Sequence, residues 1–585
     1  MTASCSALDT IGAILSTPSP MTVTSAPIAL SRALEALQRG DLAAAEHLAR
    51  NCLADTGDPR AAGMLGALMT DSGRADLAVP LLEPLAASDP LACSNLGVAY
   101  YQLGRLEDAM RAFHAALGSN PDWIEARNNL GSVLLDLGFP YAAVEVLREV
   151  LHRPGLTPMA FSNLLLAMQY LPEVTRDDLT SLHRRFGEAL AVSHPAMPPA
   201  SRPRVPGPLR VGLVSGDLRH HPVGMLLEGV LPAFRECGWW LGVYSSRNGL
   251  PGDPLPARLQ TMVDQWADIS GADDASVAAQ VRADRIDVLL DLSGHTGYHR
   301  LGVFAHRPAP FQASWLGYGD TTGLTTMDAL ISDAVSSPPG SEAGFTERII
   351  RLPLPRLPFT PPADASAVQP GPCARGEAFT FGCFNNIAKI NPRVMDAWAR
   401  ILTAAPGSRL LLKGRQFHHT VPKQAIIDGL GARGVAAERI VLEGYTRRVD
   451  YYEAFQRVDV ALDPFPFNGG MSTLDALWMG VPVLSISTST SSGYSLWARQ
   501  GEMVLGALKL DDWLASDVDD YVAKATQLAT DAKAAAALAQ LRTTLRDRVA
   551  RADFAQPARF AKAFVAAIEG EVDIARDARA QGAKA

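Results

Sequence analysis

The segment FNGGMSTLDALWMG, Phe467 to Gly480, sets two glycines and two small hydroxyl residues directly before an apolar helical run. Gly469 and Gly470 let the backbone approach a ligand closely. Ser472 and Thr473 offer hydroxyls, and the unpaired N–H groups of a first helical turn attract an anion. A phosphate fits such a loop, and Asp475, inside that turn, could accept from a ribose hydroxyl. A plain glycine-rich loop with a Ser or Thr cap has the same composition. What favours a ligand is the company this loop keeps. Asn386 ends the run FTFGCFNN and Lys389 follows it, and Arg448 lies in EGYTRRVDYY; Lys389 and Arg448 sit just past strand-like runs and would supply positive charge. GDLRHHPVG contributes His220 and His221, and DLSGHTGYHR contributes Asp291, His295 and His299. His221 and His295 stand at strand ends facing the expected cleft, whereas His220, His299 and His306 read as structural residues. His295 and His299 have the spacing of a zinc pair but neither its glutamate nor its helix. SDVDD, Ser516 to Asp520, precedes a helix far from these motifs and reads as N-terminal helix charge. No metal site is expected.

These residues need elements that bring them to one edge. LRVGLVSGD and RIDVLLDLSGH read as buried strands, with ASWLGY and DALISD as further candidates. FTFGCFNN, SRLLLKG, RIVLEGY, VDVALDPFP and VPVLSIS repeat the pattern after a Pro-rich break. Strands alternating with helices imply parallel, doubly wound sheets, which gather ligands at the carboxyl ends of their strands. The expected order is two Rossmann-like halves with a cleft between them, at 209–350 and 377–550, joined by a linker at 351–376 and followed by a helical tail at 551–585.

The first part of the chain obeys another period. Gly40, Gly73, Gly104 and Gly138 recur every 31 to 34 residues, each followed by a small Ala (Ala45, Ala78, Ala109, Ala143), within segments that read as helix pairs. This resembles the tetratricopeptide repeat, a solenoid in which each unit shares its core with the next. Repeats are expected over 27–196, after a loose leader at 1–26 and before a Pro-rich linker at 197–208. Asn95, Asn129 and Asn163 fall at a strict period within them. Asn is a poor helix-interior residue. The three either tie one helix to the next or form a ladder of amides that holds the backbone of an acceptor polypeptide, since an amide donates and accepts at once.

A chain of 585 residues exceeds one hydrophobic core, so several domains are expected. Its net charge of −8 argues against a general nucleic-acid binder, because phosphate-backbone affinity needs clustered basic residues. No apolar run is long enough to span a bilayer, and six scattered cysteines suit reduced thiols, so a cytoplasmic protein without a membrane partner is expected.

Taken in order, GDLRHHP, DLSGHTG, HRPAPFQASWLGYGDTTG, CFNNIAKINP and DPFPFNGGMSTLDALWMGVPVL, preceded by the repeats, resemble the protein O-GlcNAc transferase family, including its plant SPINDLY-type branch. The resemblance spans nearly the whole chain after residue 27. It implies a GT-B glycosyltransferase that moves a sugar, with inversion and without a metal or other cofactor, from a nucleotide sugar to Ser or Thr of proteins. By position, Lys389 is similar to the lysine that neutralises the leaving diphosphate. Asn386 and Arg448 would contact the nucleotide, Met471, Ser472 and Thr473 would line the pyrophosphate loop, and Asp475 would take the ribose. His221 would lie beside sugar and acceptor, with His295 on the acceptor side. For the proton leaving the acceptor hydroxyl, His221, Asp291 and a donor phosphate oxygen are rival bases. The loop carries Gly470 and Met471 where animal members carry His and Thr, and Arg448 and Tyr451 stand for Lys and His. UDP-GlcNAc is the expected donor, and these changes keep the GDP-fucose of the plant branch as its alternative. A repeat-based binding protein with a nucleotide domain that no longer turns over is the alternative of another class.

Overall fold

A computed structural model describes residues 26–152, 158–198, 207–247, 249, 252–487 and 495–582. The expected leader and most of the Pro-rich linker lie outside them. Chain contacts divide the protein into two compact units, Met1–Ala167 and Met168–Ala585.

The first unit is built of antiparallel helix pairs: Ala26–Gln38 with Leu42–Thr56, Pro59–Asp71 with Ala75–Leu82, Pro90–Gln102 with Leu106–Ser119, and Ile124–Leu137 with Pro140–Arg148. Gly40, Gly73, Gly104 and Gly138 end the first helix of each pair in the left-handed region, at φ 72° to 90°. A second glycine series sets the packing distance within pairs. A Cβ at Gly66, Gly97 or Gly131 would meet Leu82, Phe113 or Leu147 at 2.5 to 2.8 Å, so these helices pack closer than any side chain allows.

The repeat region ends earlier than position 196. Helix Arg176–Ser193 belongs to the second unit, where Arg176 pairs with the buried Asp320 at 2.6 Å and His183 reaches the Tyr318 hydroxyl at 3.0 Å. Its amphipathic pattern is that of a repeat helix. What decides its place is the polar partners it finds on the second unit.

The second unit holds two parallel sheets. The first comprises β1 (Arg210–Ser215), β2 (Trp240–Ser245), β3 (Gln265–Asp268), β4 (Val288–Asp291), β5 (Phe311–Ser314), β6 (Ala329–Asp333) and β7 (Arg348–Leu352), ordered β3-β2-β1-β4-β5-β6-β7. The second comprises β8 (Thr380–Cys383), β9 (Arg409–Lys413), β10 (Ile440–Glu443), β11 (Val460–Leu462), β12 (Val483–Ile486) and the two-residue β13 (Leu514–Ala515), ordered β10-β9-β8-β11-β12-β13. Each order reverses once, between β1 and β4 and between β8 and β11. The crevice at such a switch point is where a ligand lodges. The molecule is thus a helical tetratricopeptide solenoid followed by a GT-B unit of two Rossmann-like halves.

The tail is more than an appendage. Helix Pro557–Gly582 returns to the first half, where Phe564 packs on Trp315 at 4.5 Å between ring centroids and on Phe234 at 5.2 Å. Phe560, Ala561, Phe564 and Ile568 are fully buried, which clamps the end of the chain to the sheet that opens the unit.

Candidate donor and acceptor site

At the switch point of the second sheet, β11 ends in Asp463 and the chain turns through a cis Phe465–Pro466 bond into Asn468, Gly469 and Gly470. Asp463 accepts the Gly469 N–H at 2.7 Å and the Ser485 hydroxyl at 2.8 Å, pinning the loop to the sheet. Burial lifts its carboxyl to about 6, against the pull of those donors and of Lys389. A Cβ at Gly469 would collide with the Ser472 and Thr473 hydroxyl oxygens at 2.6 Å, and one at Gly470 with Gln500 Oε1 at 2.6 Å. Helix Met471–Trp478 starts at Gly470 with no side-chain cap, which leaves the amides of its first turn for a ligand.

Lys389 arrives from the neighbouring strand. After β8, Asn386 caps a short 3₁₀ turn through the Ala388 N–H (3.0 Å), and Lys389 closes it. The ammonium donates to the Asn468 carbonyl at 2.7 Å and to Asn385 Oδ1 at 3.1 Å, and it lies 4.3 Å above the Phe467 ring. Loss of water holds it down to about 8, with Asp463 opposing. Asn385 also accepts from Ser472 at 2.9 Å, so lysine, helix start and β8 form one frame. Gln416 ties Asn386 to the end of β9 at 2.8 Å. Buried polar atoms without a protein partner gather here: Asn468 Oδ1, Gln416 Oε1 and Trp497 Nε1. Unmet buried polar atoms at a loop of this kind are what a polar ligand would satisfy.

Asp475 and Arg448 meet nearby, in an arrangement different from the expected one. Asp475 is 5% exposed and accepts from Tyr451 at 3.1 Å and Tyr452 at 3.4 Å. Burial raises its carboxyl to about 7. Each carboxylate oxygen keeps a second lone pair for a further donor. Arg448 opens helix Arg448–Ala454 with its Nε 3.5 Å from Asp364 and its guanidinium 5.6 Å from the Tyr452 ring centroid, so it already has a carboxylate partner.

On the first sheet, His221 caps helix Pro222–Glu236. Its Nδ1 accepts the Val223 N–H at 3.4 Å and lies 3.7 Å from Asp217, and its side chain stays 34% exposed. Desolvation brings it down to about 4, with the charges of Arg219, Arg415 and Arg247 adding to the effect and Asp217 opposing it. The ring is neutral at pH 7. Nδ1 faces both the Val223 N–H and the Asp217 carboxylate, so the ring's open Nε2 can meet a substrate oxygen as donor or as acceptor, and the geometry keeps a base role.

His295 and Asp291 lie deeper than expected, and both are fully buried. His295 has Nε2 3.0 Å from the Thr322 carbonyl and packs edge-on to Phe186, His183 and Tyr318. Asp291 accepts from the N–H groups of Ser293 and Gly294 and from the Ser314 hydroxyl, which fixes the turn after β4. Neither can touch a substrate from there. His299 and His306 are buried, and His220 is exposed on the loop after β1.

The asparagine series breaks at its third rung. Asn163 is 2% exposed and donates to Asn128 Oδ1 at 2.8 Å and to the Ser132 hydroxyl at 3.0 Å, while Asn95 and Asn129 are half-buried. Equal spacing did not give equal exposure, because Asn163 finds a buried amide in the preceding repeat. Sequence reading overlooked Asn385, Asn468 and Asp463. Asn385 and Asn468 adjoin noted residues and Asp463 opens the DPFPFNGG segment, and only their contacts distinguish them from loop polarity. Among the described residues, no group of three or more His, Cys, Asp or Glu side chains is placed to hold a metal ion, and no helix is long and apolar enough to cross a membrane.

The sequence model for glycosyl transferase family 41 matches residues 190–355 and 374–561, and that for the tetratricopeptide repeat matches 90–123. A probable UDP-N-acetylglucosamine–peptide N-acetylglucosaminyltransferase SPINDLY from Solanum lycopersicum is 35% identical over 409 residues, covering 69% of this chain and 43% of that protein. The Arabidopsis thaliana protein of the same name is 36% identical over 400 residues, covering 67% and 42%. The chain thus spans less than half the length of these curated relatives. A solved structure of a mutant of the Thermobaculum terrenum O-GlcNAc transferase superposes with a TM-score of 0.74 at 31% identity, covering 96% of this chain and 100% of that one. With its glycine loop, lysine frame and both sheets inside the matched segments, the chain belongs to glycosyl transferase family 41.

Proposed function

We propose that the protein transfers a sugar, GlcNAc from UDP-GlcNAc, to Ser or Thr of other proteins, with inversion and without a metal. The observation that carries this reading is the Lys389 ammonium, fixed on the Asn468 carbonyl and Asn385 beside the uncapped helix at Gly470. Family membership and the names of the relatives support the choice of chemistry.

Lys389 and the amides of Met471, Ser472 and Thr473 stabilise the diphosphate as the glycosidic bond breaks, in place of a metal. Gly469 and Gly470 let the phosphates approach, and Asn386, Arg448 and Asp475 form the nucleotide end. His221 faces sugar or acceptor through Nε2. For the proton leaving the hydroxyl, His221 and a donor phosphate oxygen are the candidates, since Asp291 is sealed. Asn95 and Asn129 remain candidate contacts for the acceptor backbone. The cytoplasm suits Cys52, Cys93, Cys237, Cys373 and Cys383, which are not in disulfides.

The test is titration with UDP and GDP, followed by mass spectrometry of Ser/Thr peptides after incubation with each nucleotide sugar. UDP should bind more tightly, and HexNAc should appear on a hydroxyl residue. Tighter GDP binding with fucose transfer would overturn the donor, and absence of any transfer would overturn the activity.

A further inference from the structure

The carboxyl edge of the first sheet carries positive charge that the donor loop does not use. Parallel pairing sets Ser215 of β1 level with Ser245 of β2, so Gly216–Arg219 and Ser246–Arg247 leave the sheet side by side. The Ser246 N–H donates to the Ser215 carbonyl at 2.9 Å, and its hydroxyl donates to the Tyr298 carbonyl at 2.6 Å. Tyr298 adopts φ 61°, and a Cβ at Gly216 would meet its Cβ at 2.6 Å. A non-glycine residue held in the left-handed region marks a turn that its surroundings over-determine. The turn places a ring beneath Arg247, whose guanidinium lies 4.2 Å from the centroid. Arg219 has one terminal nitrogen 3.2 Å from Asp217, while its Nε is buried with no acceptor. Arg415, after β9 on the opposite half, joins Arg247 in drawing the Arg219 guanidinium below its usual value, an effect led by burial.

Asp217 is the carboxylate in contact with this group. Asp253 is spent on the N–H groups of His220 at 2.7 Å and Leu255 at 3.0 Å. Like charges gathered in a partly dewatered cleft repel one another, and an anion seated between them removes the repulsion. A guanidinium pair matches the planar oxygens of a carboxylate. Two anions could come here: an acidic side chain of the acceptor or the phosphates of the donor. Arg219 and Arg247 stand beside His221, on the half opposite Lys389 and the Gly470 helix, which already serve the donor.

We propose that Arg219 and Arg247 form an acceptor-side subsite for a carboxylate, so that the protein selects Ser or Thr flanked by Asp or Glu. This rests on the transferase reading, which places the acceptor next to His221. The test is fluorescence anisotropy of the full chain with a labelled Ser peptide flanked by Glu and with its Gln twin, at low and at physiological salt. The Glu peptide binds about tenfold more tightly at low salt, a difference of about 1.4 kcal/mol. The advantage shrinks with salt. It falls below about twofold in Arg219→Gln/Arg247→Gln, whereas Arg247→Lys keeps part of it. Should the double variant melt early, Arg247→Gln alone carries the comparison. Equal binding of the two peptides by the parent, or an advantage that survives in the variants, overturns the subsite. UDP affinity that falls with the arginines assigns the anion to the donor and overturns it as well. Binding is read without turnover, so failure to transfer sugar to either peptide would count against the transferase reading alone.

Discussion

Replacing Lys389 by Met removes a charge while leaving its neighbours provided for. Of the three ammonium N–H bonds, two go to Asn468 O and Asn385 Oδ1, and one is left for a ligand. Each of those oxygens keeps a second donor, Gln500 Nε2 at 3.2 Å for Asn468 O and the Ser472 hydroxyl at 2.9 Å for Asn385. The cost to the fold is therefore about 1 kcal/mol, and a thioether above the Phe467 ring offsets part of it. The chemical step is different, because negative charge on the leaving diphosphate grows as the bond breaks and a fixed cation favours that state over bound donor. Loss of one such donor costs about 10²- to 10³-fold in turnover, or about 3 to 4 kcal/mol. Lys389 titrates at about 8 in the free protein, so its charge is lost as pH rises past that value. The parent's kcat/KM should then fall about tenfold per unit above pH 8, while the Met variant stays flat. The assay is single-turnover transfer across pH 6 to 10, with UDP titration and a melting curve for the same proteins. A variant that melts normally and transfers within about threefold of the parent would refute the assignment, and Arg448 would be the next cation to test.

Asp475 is raised from 3.8 to about 7 by burial, so its neutral form is the one the fold favours; this contribution is complete below 3.8 and lost as pH rises through about 7. Asp475→Asn, neutral throughout, should gain on the parent between pH 4 and pH 8 by up to about 4 kcal/mol, and melting curves with a pH-independent gap would contradict this. His221→Ala should lower transfer more than UDP affinity, without altering the rate profile between pH 5 and 8, because the imidazole already titrates at about 4. A limb of the parent's profile near pH 6.5 that vanishes in the variant would refute this. Asn163→Ala strands the buried Asn128 carbonyl and should cost about 1 to 3 kcal/mol. Asn95→Ala/Asn129→Ala should instead melt like the parent and weaken peptide binding, and the reverse pattern by calorimetry and anisotropy would return the ladder to all three.

The sequence by itself determined the classes of structure and the location of the donor loop. Helix pairing is local: the glycine period and the small Ala after each turn are set within one repeat, so the solenoid is legible residue by residue. Nine of the thirteen strands were legible as short apolar runs, whereas β2, β3, β7 and β13 were not singled out, β3 and β7 being only partly buried. The motif FNGGMSTLD announced itself because close backbone approach admits few residue types. Tertiary structure decided what periodicity could not. Arg176–Ser193 has the pattern of a repeat helix, yet its buried Arg176–Asp320 pair binds it to the second unit. Asn163 shares its spacing with Asn95 and Asn129, but Asn128 turns it inward. His295 and Asp291 stand at a strand end as His221 does, yet the turn after β4 folds back over them and the loop after β1 opens outward. Whether a polar side chain at a strand end faces ligand or core depends on partners distant in sequence, and spacing along the chain carries no record of them.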